Sequence, residues 1–118
     1  MKSFFKAISI VFTVLFLWAA YVQYNDPDAL LWYAIYGSAA AASVMFFLEK
    51  LSFKVALLLF ALYFIGVFIF WPNEFEGVGI DDGEIGNIEH ARESFGLLIN
   101  ALVMLMYSLR IRALAKKA

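Results

Sequence analysis

The chain has 118 residues, of which 64% are hydrophobic, 19% aromatic and 16% charged, with a mean hydropathy of +0.82. That composition lies far outside the soluble globular range and points to one membrane-embedded domain over residues 1–118, with no length left for a separate soluble one. The lack of cysteine excludes disulfides, thiolate metal sites and cysteine nucleophiles, and a formal net charge of -1 offers no footprint for nucleic acid.

A bilayer core of about 30 Å needs about 20 apolar residues per helix, so this length accommodates at most four spans. The first runs over 4–24, interrupted only by Lys6, whose long side chain can snorkel to the headgroups. A cleaved signal peptide is the competing reading, with Lys2 and Lys6 as its basic region and a cleavage site near Leu17-Trp18-Ala19 or Ala19-Ala20. An apolar run that continues to Tyr24 is long enough to span, which favours a retained helix, and an intact N-terminal mass distinguishes the two. The second span covers 29–48. The third, 55–71, ends at Trp71-Pro72, where proline stops a helix and tryptophan suits the interface. An outer loop follows over 72–87. The apolar part of the fourth span, 94–109, is short, so its helix should begin near Ile88 and carry polar residues into its first turns. The fourth span then covers 88–109. The expected fold is all-α, a four-transmembrane-helix up-down bundle.

Sorting charges by the loop they flank gives the orientation. Lys2 and Lys6 precede the first span, Lys50 and Lys54 separate the second and third, and Arg110, Arg112, Lys116 and Lys117 follow the fourth, which puts eight of the nine cations on one side. Arg92 alone falls on the other, among Asp26, Asp28, Glu74, Glu76, Asp81, Asp82, Glu84, Glu89 and Glu93, while Glu49 is the single inner acid. Both termini are therefore expected to be cytoplasmic, with the NDPD turn and the acidic loop outside. The tail RIRALAKKA reads as an orienting segment that attracts anionic headgroups.

The first outer turn, QYNDPDALLW over 23–32, sets two carboxylates, an asparagine and a proline between apolar runs. Locally it makes a helix start: Asp26 suits the N-cap, Pro27 the first helical position and Asp28 the positive first turn. Trp32 and Tyr33, with Tyr21 and Tyr24 on the other arm, are expected at headgroup level as an aromatic belt.

QYNDPDALLWYAIYG, followed much later by HARESFGL, resembles the paired signature of the transmembrane protein 220 family, small four-helix membrane proteins. The matching positions are Gln23, Asn25, Asp26, Pro27, Asp28 and Trp32 in the first block, and Arg92, Glu93, Gly96 and Leu97 in the second. The NDPD block is fairly specific, and the second is weak alone. The resemblance implies the four-helix architecture and names two motifs without supplying a mechanism.

Both blocks fall on the outer side by charge alone. On a helix starting near Ile88, Glu89, Arg92, Glu93, Gly96 and Asn100 recur at spacings of three and four. That polar stripe is expected to face the bundle interior, away from lipid. Gly37, Ala41 and the neighbouring small residues of GSAAAAS offer close approach on the second span. Ser9, Thr13, Phe16, Ala20 and Gln23 share the inward face of the first.

Two readings of the outer cluster follow. In one it is a staple, with Arg92 buried against Asp26 or Asp28 and against Glu89 or Glu93, tying the outer turns together. In the other, Gln23, Asn25, Asp26, Asp28, Glu89, Arg92, Glu93 and Asn100 form a pocket for a cation or small polar ligand. The cofactor stays open. Zinc needs His90, the single histidine, with carboxylates such as Glu89, Glu93, Asp26 or Asp28; calcium or magnesium can use oxygens alone. Asp81, Asp82, Glu84, Asn87 and Glu89 do not match the spacing of an EF-hand and read as a solvated acidic loop, over which Phe75, Val78 and Ile80 can fold back as a lid. No nucleophile–base constellation or phosphate-cradling glycine loop is present, so catalysis has little to stand on. The expected role is structural or interaction, in the lipid bilayer, with a membrane protein partner or a second copy. The alternative is cation binding or transport through the outer carboxylates.

Overall fold

The computed structural model describes residues 3–25, 28–71 and 85–117, the side chains of 85–90 and 117 excepted. Its regular structure consists of α1 (Ser3–Tyr21), α2 (Ala29–Phe47), α3 (Phe53–Ile69) and α4 (Ile85–Lys117), with no strand among the described residues. Lipid offers no hydrogen bonds, and a helix satisfies its own backbone, so apolar runs of this length become helices. α1, α2 and the Ala91–Lys116 part of α4 are long and apolar enough to cross a membrane, and α3 is a shorter apolar helix. α4 runs as one helix well past Leu109, where the apolar pattern ends, because nothing in RIRALAKK breaks a helix.

The chain divides into two compact units, one formed by Met1–Ala56 with Tyr107–Ala118 and the other by Leu57–Met106. In the first, α1 packs against α2. The small and polar face of α1 is turned inward: Ser9 and Phe16 are buried, and Thr13, Ala20 and Gln23 are half-buried. Ser9 Oγ donates to the Lys6 carbonyl at 2.8 Å and Thr13 Oγ1 to the Ser9 carbonyl at 2.7 Å, so neither hydroxyl is left unsatisfied. The opposite face, including Val11, Val14, Leu15 and Trp18, is exposed, an arrangement that suits lipid and not water.

On α2 the buried line is Trp32, Tyr36, Ala39, Ser43 and Phe46, alternating steps of four and three along one helical face. Phe46 stacks on Tyr107 of α4 with ring centroids 4.2 Å apart and planes at 16°, and Tyr107 donates its phenol hydrogen to Ser43 Oγ at 2.8 Å. Ser43 passes its own hydrogen to the Ala39 carbonyl at 3.0 Å, which closes a short polar chain inside an apolar contact.

The link between α2 and α3 is tight. The Lys50 amide donates to the Met45 carbonyl at 2.8 Å and the Glu49 amide to the Phe46 carbonyl at 3.0 Å, the paired bonds of a Schellman end. That motif puts Glu49 at φ 60, the position where glycine is usual. Ser52 then caps α3, its Oγ accepting from the Val55 amide at 3.2 Å. Glu49 is kept in the left-handed region although its carboxylate lies 3.5 Å from Lys6, at a site open to solvent. An exposed pair contributes little, and relief of the backbone outweighs it. Glu49→Gly should therefore raise the melting temperature in detergent, while Glu49→Gln, which loses the charge and keeps the strained backbone, should lower it slightly. A lower melting point for the glycine variant than for the glutamine variant would refute this.

In the second unit α3 and α4 approach closely at Gly66, where an added Cβ would lie 3.0 Å from Leu97 Cδ1. Ser94, fully buried, donates to the Val67 carbonyl at 2.9 Å, and the Trp71 ring meets Phe95 edge-on at 6.2 Å. Leu97 of the second signature block is thus a packing residue, seated against a backbone that has no side chain to displace it.

Candidate functional site

The QYNDPD turn closes α1 by side-chain chemistry. Beyond Tyr21 the chain tightens, with the Gln23 amide bonding the Ala20 carbonyl at 3.1 Å and the Tyr24 amide the Tyr21 carbonyl at 3.3 Å. The Ala19 carbonyl, which Gln23 N–H would have reached in a continuing α-helix, is instead met by Gln23 Nε2 at 3.1 Å. Gln23 is therefore committed to its own helix end. Asn25 and Asp28 are exposed. Asp26 and Pro27 lie outside the described residues. Asp28, rather than Asp26, immediately precedes the first helical residue of α2, and its side chain makes no cap hydrogen bond. The helix starts two residues later than the capping argument places it.

Trp32 departs from the expected aromatic belt. It is 1% exposed and lies in the core beside Tyr36, their centroids 6.1 Å apart. Adjacent residues on a helix point about 100° apart, and Trp32, not Tyr33, is in phase with the buried line of α2. The exposed ladder is carried by α1 and its turn, where Trp18 stacks on Tyr21 at 5.7 Å and Tyr21 meets Tyr24 at 5.9 Å. Gly37 is likewise not a point of close approach, since nothing lies within 4 Å of a Cβ built there, and Ala41 is exposed. The buried small residues are Ala39, Ala40, Ala42 and Ser43.

The expected inward stripe of α4 separates into two parts. Arg92 is exposed, Glu93 and Gly96 are half-buried, and Asn100 is fully buried; the side chains of Glu89 and His90 lie outside the described residues. The buried line in this region is Ala91, Ser94, Leu97, Asn100 and Ala101. Near the headgroups a polar side chain can face outward at little cost, so polarity marks the interior only at depth. This explains why Asn100 obeys the rule and Arg92 does not. An exposed pair contributes about 0 to 1 kcal/mol, against roughly 3 to 5 for breaking a buried one, so any pair Arg92 makes belongs to the weaker class.

Asn100 is the most unusual of the candidate residues. Among the described residues neither its Nδ2 nor its Oδ1 has a hydrogen-bond partner, although the residue is 0% exposed. An amide presents both donors and an acceptor, so its complement is a group that can do both, and a bare cation would leave the amino half unmet. Among the described residues no group of three or more His, Asp or Glu is placed to hold a metal ion. The acidic segment 72–84, with Asp81, Asp82, Glu84 and the apolar Phe75, Val78 and Ile80, lies outside the described residues.

Sequence reasoning missed Ser94 and Tyr107, and named Ser43 only as one of the small residues of GSAAAAS. The signal was available in Ser94, Ala101 and Ser108, small residues seven apart that mark one packed face of a membrane helix, with Tyr107 beside the last of them.

The four helices, their apolar spans and the lipid-suited face of α1 define a small all-α integral membrane protein. The family described as Transmembrane family 220, helix, matches residues 15–109, a stretch that contains both signature blocks. The chain belongs to that family. No curated protein and no solved structure matched it.

Proposed function

We propose that the protein is a non-catalytic membrane component whose outer turn is a contact surface for another membrane protein or a second copy of itself. The observation that supports this is the outward presentation of the turn: Asn25 and Asp28 are exposed beside the Trp18–Tyr21–Tyr24 ladder, whose three rings are each 63% exposed. Exposed aromatics next to polar, hydrogen-bonding groups are the composition of a contact surface, because they bury large area at low entropic cost. A photo-crosslinking residue at Tyr24 should yield a discrete adduct in native membranes, and one at Leu15 should yield only lipid. Equal, diffuse labelling at the two positions would remove the basis for the proposal, and melting that rises with calcium, magnesium or zinc would favour cation binding by the outer acids instead.

The orientation belongs to the same reading. The eight-to-one division of cations supports cytoplasmic termini, and Arg110 near the end of α4 sits over the Phe5 ring near the start of α1, at 4.5 Å. In this cysteine-free chain, Asn73→Cys should react with an impermeant thiol reagent applied to intact cells, and Lys50→Cys only after lysis. Labelling of both from outside would reverse the assignment.

A further inference from the structure

We propose that the cationic end of the first unit is a binding site for the phosphate of an anionic phospholipid, with Arg110 and Arg112 as its recognition residues. Three cations there are held against phenylalanine rings: Arg110 over Phe5 at 4.5 Å, Lys6 over Phe47 at 5.5 Å, and Arg112 over Phe53 at 6.0 Å. Lys6 is also engaged by Glu49 at 3.5 Å. The two arginines differ from it. Neither is paired with a carboxylate among the described residues, and each lies on a different neighbouring helix.

Contact with a ring takes up no hydrogen-bond acceptor, so it leaves the guanidinium N–H donors uncommitted, and these are the fork that fits two phosphate oxygens. For Arg110 the enclosed nitrogen is Nε, so the donors left for a ligand are the two terminal amino groups. An arginine waving in water loses much rotamer freedom when it binds, and one resting on a ring loses less, an advantage larger for half-buried Arg110 than for exposed Arg112. Between the two arginines in sequence, Ile111 turns to a cleft of about 170 Å³ that it shares with Phe46, Glu49, Leu51 and Leu114. Its lining is apolar except for Glu49, whose charge is answered by Lys6, so it suits the glycerol end of an acyl chain rather than a second charge.

Charge complementarity singles out a lipid as the occupant. Apolar helices place this end at the bilayer surface, where the anion in greatest supply is the headgroup phosphate, and basic pockets between helices at that depth suit such groups. The test uses the full chain in zwitterionic detergent, with phosphatidylglycerol, phosphatidylcholine or inorganic phosphate added, and bound lipid counted by native mass spectrometry alongside the melting temperature. Phosphatidylglycerol should bind and raise the melting temperature, with phosphatidylcholine and inorganic phosphate inert.

Removing any two cations from a diffuse basic surface weakens such binding roughly thirtyfold. Arg110→Gln with Arg112→Gln should exceed that loss, whereas Lys54→Gln with Lys116→Gln, two exposed cations of the same unit, should fall well short of it. Arg110→Lys with Arg112→Lys, which keeps the charge and guards against a folding defect, should still bind more weakly than the parent. Equal losses in the two glutamine pairs, full binding by the lysine pair, or an equal response to phosphatidylcholine or to inorganic phosphate would each overturn the proposal.

Discussion

Phe46→Ala should lower the stability of the detergent-solubilised protein by about 2 to 4 kcal/mol, among the largest losses expected from a single truncation in the first unit. Phe46 is fully buried, and its ring lies 4.2 Å from that of Tyr107. In a soluble core such a change costs roughly 3 to 5 kcal/mol, part of it for returning apolar surface to water. Within a membrane that part shrinks, because separated helices are still surrounded by apolar tails, and what remains is the cavity and the lost ring contact. Tyr107→Phe isolates the hydrogen bond to Ser43 and should cost only about 0.6 kcal/mol, the usual size of such bonds between membrane helices. Reversible unfolding in mixed micelles measures both. A Phe46→Ala effect no larger than that of Tyr107→Phe would mean the stacked contact does not hold α2 against α4.

Asn100→Leu should act in the opposite direction and stabilise the protein by about 1 to 3 kcal/mol. The reason is that a buried amide without a hydrogen-bond partner among the described residues carries its desolvation cost, and a branched apolar side chain of similar size does not. The same unfolding assay reads it, with Asn100→Ala as the control that removes the amide but leaves a cavity. Should Asn100→Leu destabilise instead, the amide is satisfied by a group outside the described residues, and the reading of the polar cluster as a ligand pocket regains its claim over the surface reading of the outer turn. A residue retained at a cost to stability is also a residue to test for function.

Number and class of elements were legible in the sequence because lipid leaves the backbone so few choices: an apolar run between loops becomes a helix. The inward face of α1 was legible for a related reason, since Ser9 and Thr13 are polar where lipid would penalise them. Faces whose residues are uniformly apolar or aromatic carried no such contrast. Trp32 and Tyr33 are alike in composition, and only the phase set by Tyr36, Ser43 and Phe46 separates core from surface. The cap at Asp28 and the left-handed Glu49 were hidden for another reason: both depend on how the chain leaves or enters a helix, which several residue types permit. At the candidate site, Asn100 was found by its polarity at mid-helix, while Arg92 was misplaced by applying the same rule too close to the headgroups.

The shortness of α3 has a consequence for the surroundings. Its 17 residues rise about 26 Å, several ångströms less than the hydrocarbon thickness of an average bilayer. A segment of that length is matched by a thin membrane and mismatched by a sterol-rich or long-chain one, where lipid must compress around it or Lys54 and Trp71 must stretch toward the headgroups. Each ångström of mismatch costs only a fraction of a kcal/mol, yet partitioning between coexisting membranes responds to such differences. Bilayer thickness, through α3, thus becomes a physical address: given a choice of acyl-chain lengths in mixed vesicles, the protein should concentrate where the chains are short.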